Sequence, residues 1–98
     1  MTENKLTDGS YALVLTDQSM FPRFEENTLI LIDRKAKPKN GDYVVIYIHK
    51  NNEILFRQLA EKNKQCFLQP LTFNGYQSIL MTKKDIICGV MVEARWTF

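Results

Sequence analysis

The sequence predicts a mostly β domain of curved, partly closed antiparallel sheets, and three observations carry that prediction. Apolar residues alternate with polar ones or run unbroken over short stretches, which is strand patterning. Each stretch is closed by Gly, Pro, Asn or Asp, the residues that make turns. No segment has apolar spacing that would sustain a helix beyond a turn or two. With 98 residues there is material for one core, so residues 1–98 read as a single domain, with the polar residues 1–10 expected to be flexible.

The first strand is Tyr11 to Thr16. The second, Leu29-Ile30-Leu31-Ile32-Asp33, is entered through Glu26-Asn27, where Asn tolerates a left-handed turn. Lys37-Pro38-Lys39-Asn40-Gly41-Asp42 is a turn because Pro fixes one dihedral and Gly permits positive φ. Tyr43 to His49 then forms the clearest strand, and the polar Lys50-Asn51-Asn52 links it to Ile54 to Leu59 as an antiparallel hairpin. Cys66 to Leu71, a loop at Asn74-Gly75-Tyr76 and a last strand from Ile86 to Arg95 complete the series.

Composition excludes several function classes. The hydrophobic fraction of 45% is that of an ordinary globular domain. No apolar run approaches the ~20 residues of a membrane-spanning helix. The start, Met1-Thr2-Glu3-Asn4-Lys5, has neither the charged region nor the apolar stretch of a secretory signal, so a cytoplasmic protein without membrane attachment is expected. Cys66 and Cys88 read as free thiols in small buried positions. With His49 the only histidine and no zinc-type spacing, no metal and no cofactor are expected. The net charge of +2 comes from mixed signs, and the basic stretch Arg34-Lys35-Ala36-Lys37-Pro38-Lys39 falls on a turn, so direct DNA binding by this domain is not expected.

Two segments carry candidate chemistry. Asp17-Gln18-Ser19-Met20-Phe21-Pro22 places a serine on a turn, and Leu55-Phe56-Arg57-Gln58-Leu59 places a basic residue inside an apolar strand. A serine hydroxyl becomes nucleophilic when a neighbouring base removes its proton, and a buried neutral lysine can do so. Arginine stays protonated, and freeing a lone pair on it near pH 7 costs roughly 7 kcal/mol. Arg57 is suited to hold the serine oxygen or to pair with a carboxylate such as Asp17. The turn around Ser19 would also present backbone N–H groups to an oxyanion. Met20 and Phe21 read as core side chains, and His49 as an exposed residue at a strand end.

These segments, together with Asn27 to Asp33, Asn40-Gly41-Asp42-Tyr43-Val44-Val45, Leu68-Gln69-Pro70-Leu71 and Cys88-Gly89-Val90-Met91, occur in an order that resembles the C-terminal domains of LexA and phage repressors, a group that includes UmuD. The resemblance spans Tyr11 to Trp96. It implies a mostly β fold that dimerises and, in active members, cleaves itself with a Ser-Lys dyad stimulated by the RecA filament. Ser19 matches the nucleophile and Arg57 the lysine, while Asp17, Gln18, Met20 and Pro22 match the rim of the cleft. Trp96 and Phe98 fall near the dimer contact that the resemblance implies.

Two departures stand out: the arginine, and the lack of any Ala-Gly dipeptide or helix-turn-helix pattern in the chain. The reading that follows is a LexA-like regulatory domain of phage-repressor type. It acts as a homodimer and is catalytically inactive because of Arg57. The alternatives are an active serine peptidase of SOS or phage regulation, and a UmuD-like accessory protein. The partners implied are a DNA-binding regulator, RecA or a polymerase.

Overall fold

In a computed structural model, residues 4–5 and 9–95 are described. They form one antiparallel sheet of eight strands in the order β1-β2-β3-β8-β4-β5-β6-β7. The strands are β1 (Asn4–Lys5), β2 (Ser10–Val14), β3 (Leu29–Asp33), β4 (Tyr43–Ile48), β5 (Glu53–Lys62), β6 (Gln65–Gln69), β7 (Ile79–Leu80) and β8 (Ile86–Arg95). The fold is therefore mostly β, as the patterning predicts, but it is a single sheet that does not close, with β1 and β7 as its edges. Among the described residues no helix is long and apolar enough to cross a membrane. Asn4–Lys5, within the stretch expected to be flexible, pairs with Ala12 and Tyr11 of β2. Trp96 and Phe98 lie outside the described residues.

Turn chemistry sets the register. Asn27 has φ 74° and Gly41 φ 93°, left-handed conformations that asparagine tolerates and that glycine adopts freely for want of a Cβ. Asn63 and Lys64 both have positive φ and form a two-residue hairpin loop between Lys62 and Gln65, the turn whose twist matches that of the flanking strands. Polar residues thus extend β5 well past the predicted Leu59, because a tight turn rather than an apolar run decides where it ends.

Strand β4 is central and buried on both faces. Val45 joins Tyr11, Leu13, Leu15, Met20, Phe24, Ile30, Ile32 and Phe56 in one core cluster. Val44, Ile46 and Ile48 join Leu59, Leu68 and Val90 in another. Alternation at period two sends neighbouring residues to opposite clusters. Strand β8 changes register twice: against β4 between Gly89 and Ile87, and against β3 between Glu93 and Met91. The extra residues, Cys88 and Val92, make bulges that bend the strand. At the first bend Gly89 has no room for a side chain, since a Cβ would overlap Ile32 and lie 3.2 Å from both the Asp33 carbonyl and the Tyr11 hydroxyl.

A buried serine and arginine as the candidate functional site

Apolar anchors create the turn that holds Ser19. Met20 and Phe24 both enter the first core cluster. Backbone bonds from Phe21 to Gln18 and from Phe24 to Met20, 3.1 and 2.9 Å, coil the chain between them. Phe24 packs edge-on against Tyr43 and Phe56, at 4.9 and 5.6 Å between ring centres. The opposite side is pinned by the Ser19 carbonyl, which accepts N–H bonds from Leu71 at 2.9 Å and Thr72 at 3.1 Å. Ser19 is thereby clamped between a core-anchored coil and the irregular segment after β6, and is 0% exposed.

Arg57 reaches the same point from β5. Opposite Val44 in the ladder, it is 5% exposed. Its Nη1 donates to Ser19 Oγ at 2.6 Å and to the Phe56 carbonyl at 2.9 Å. Ser19 Oγ in turn donates to Asp17 Oδ1 at 2.7 Å, and the same oxygen accepts the Ser19 backbone N–H at 3.0 Å. The other Asp17 oxygen lies 3.9 Å from Nη1. Burial pushes the arginine pKa below its ordinary value, opposed by the charges of Asp17, Tyr76 and Glu53. It remains a cation at neutral pH.

The structure thus brings Ser19, Arg57 and Asp17 together. Arg57 donates to the hydroxyl oxygen, so it occupies a lone pair and accepts no proton. The hydroxyl proton is directed at Asp17, and a carboxylate is ordinarily a far weaker base than a neutral lysine amine. The backbone donor expected to face an oxyanion is also occupied, because the Ser19 N–H is held by Asp17. Gln18 N–H points to the Tyr76 hydroxyl at 3.4 Å. Tyr76 lies over the guanidinium, 5.6 Å from its carbon to the ring centre. Sequence reasoning missed Tyr76, Leu71 and Thr72 as parts of the site, because their contacts are long-range and two of them use only backbone.

The remaining predicted residues are distributed by exposure. Met20 is core, Gln18 and Pro22 are exposed, and Asp17 is partly so. Phe21, read as a core side chain, is instead 47% exposed, since Met20 and Phe24 take the inward positions of the coil. His49 is exposed, and its ring lies edge-on to Tyr47. Cys66 and Cys88 are unpaired, but half-buried rather than buried. Among the described residues no cluster of His, Cys, Asp or Glu has the makings of a metal site.

A mostly β domain that joins a serine turn to a basic residue on a strand of its sheet is of the LexA and phage-repressor type. The chain belongs to the Peptidase S24-like family, whose model matches residues 2–92. It is 25% identical to an uncharacterized HTH-type transcriptional regulator of Coxiella burnetii (strain RSA 493 / Nine Mile phase I), over 99% of this chain and 46% of that protein. It is 34% identical to repressor protein C2 of Salmonella phage P22, over 71% of this chain and 32% of the repressor. The chain therefore spans less than half the length of the curated relatives it matches.

Proposed function

We propose that this is a catalytically silent LexA-type domain that serves transcriptional regulation by self-association. The observation that carries the silent reading is the 2.6 Å bond from Arg57 Nη1 to Ser19 Oγ. A permanent donor stands where the chemistry needs an acceptor. Full burial of Ser19 and the engagement of its N–H by Asp17 support the same reading. The regulatory role is supported by the two relatives, one named a transcriptional regulator and one a repressor.

Self-association through the last strand is part of this proposal. The exposed Val92 at the β8 bulge supplies an apolar contact point there. Sedimentation across a concentration series, with a supplied peptide containing Ala-Gly present in a parallel incubation, tests both halves. A concentration-dependent dimer and an uncut peptide are expected. Cleavage of the peptide, or a monomer at every concentration, overturns the corresponding half.

A further inference from the structure

Arg57 is the most unusual polar group in the described molecule. Its Nη1 carries the bonds to Ser19 and Phe56, yet its Nε is buried with no hydrogen-bond partner among the described residues. The nearest carboxylate oxygen to Nη1, on Asp17, stands 3.9 Å away, beyond hydrogen-bond reach, on a side chain that is 39% exposed. Buried cations are ordinarily held by an anion in direct contact, because desolvating the charge is costly. The Nε edge of a guanidinium is one of the edges that grips a carboxylate with two parallel bonds.

What lies over this cation is a short loop. Its stem is tied to the site by the Leu71 and Thr72 bonds to the Ser19 carbonyl. Gly75 takes φ +91°, and Tyr76 lies across the guanidinium, its hydroxyl accepting a long 3.4 Å bond from Gln18 N–H. Phe73, next to Thr72, is 66% exposed, and Phe21, two residues after Ser19, is also open to solvent. Two exposed phenyl rings therefore belong to the two segments that clamp the serine.

From the unpartnered Nε, the distant carboxylate and the exposed phenyl rings on the two clamping segments, we infer that Arg57 is a recognition site for a carboxylate carried on an apolar group, admitted when Tyr76 moves aside. This deepens the silent reading and rests on it, since an Arg57 committed to binding an anion is not a base. The ligand chemistry is a carboxylate with an aromatic or aliphatic body, from a free acid or a chain terminus. Binding leaves the Ser19 and Phe56 bonds of Nη1 in place and adds an acceptor at Nε.

The test is a titration of the ¹⁵N-arginine-labelled protein followed at the Nε–H resonances, with Arg57 assigned by comparison with Arg57→Gln. N-acetylphenylalanine, its C-terminal amide, 3-phenylpropionate and acetate are the probes. The expected result is a saturable shift of the Arg57 resonance with both aromatic acids, binding roughly tenfold or more tightly than the amide, as a charge-assisted bond requires. Tyr76→Ala is expected to tighten that binding. Tighter binding of N-acetylphenylalanine than of 3-phenylpropionate points to a chain terminus as the source, and equal binding points to a free acid; both support the site. No shift with any acid, or equal shifts with acid and amide, overturns it. Serine-directed labelling of the same sample scores the silent reading separately, so a labelled serine and a failed titration are distinguishable.

Discussion

Ser19→Ala should destabilise this domain. In a working hydrolase, removal of the nucleophile is commonly neutral or stabilising, because active sites hold strain for function. Here the hydroxyl links two charged groups. It accepts from Arg57 at 2.6 Å and donates to Asp17 at 2.7 Å. A hydrogen bond to a charged group contributes about 1.5–3 kcal/mol. The Arg57 bond is buried and takes a value in that range, whereas water replaces much of the Asp17 bond because that side chain is partly exposed, leaving about 0.5 kcal/mol. The loss is therefore about 2–3.5 kcal/mol. At the ~4–8 °C per kcal/mol typical of a domain this size, the melting midpoint should fall by roughly 10–30 °C. Urea titration and thermal melting by circular dichroism read the change directly. A Ser19→Ala variant as stable as wild type, or more so, would refute the argument that the serine is a structural link.

Other perturbations test separate parts of the account. Arg57→Lys replaces the permanent donor with an amine that burial can neutralise, so hydrolysis of a supplied Ala-Gly peptide should appear and rise with pH as the lysine loses its proton; an inert variant throughout pH 7–10 contradicts the assignment of arginine as the block. Gly89→Ala forces a methyl into the Ile32 side chain at the β8 bend, and overpacking of this kind costs about 1–3 kcal/mol, measurable as a lower urea midpoint. Asp85 accepts bonds from the backbone N–H groups of Thr82 and His49 at 2.8 and 2.9 Å, and they hold its pKa below the ordinary 3.8. A depressed folded value means that its stabilisation is present above the ordinary value and disappears as pH falls through the folded one. Asp85→Asn should accordingly be less stable than wild type at pH 7, with the gap narrowing in strong acid; a gap that does not depend on pH contradicts the assignment.

Much of the sheet was legible because burial and period two coincide. The predicted and observed ends coincide for Leu29–Asp33 and Ile86–Arg95, and differ by one residue for β4. Two-residue strands such as β1 and β7 have no period to detect, and their pairing is set by neighbours far along the chain. The observed β5 runs past the predicted end because Ala60, Glu61 and Lys62 carry no apolar alternation to signal a strand. Its true end is set by the Asn63-Lys64 turn, a pair whose second residue is not a usual turn former.

The candidate site shows the same division. Ser19 and Arg57 stood out by residue type and order, but their meeting depends on Met20 and Phe24 anchoring the coil and on the Ser19 carbonyl taking N–H bonds from Leu71 and Thr72. No spacing rule encodes those contacts. The resemblance leads to the nucleophile position, while the structure adds that Arg57 donates a hydrogen bond to the serine oxygen there. Asp17, the expected ion partner of Arg57, does lie at ion-pair distance from it, 3.9 Å, while its hydrogen bonds go to Ser19.

The central claim is that Ser19 is held by Arg57 and is not activated by it. Intact mass spectrometry of the wild-type protein after prolonged exposure to a fluorophosphonate at neutral pH, beside Ser19→Ala as control, tests this most directly. The account predicts no adduct on either protein. An adduct on wild type that is absent from Ser19→Ala would show that the serine is still activated, and the silent reading would be wrong.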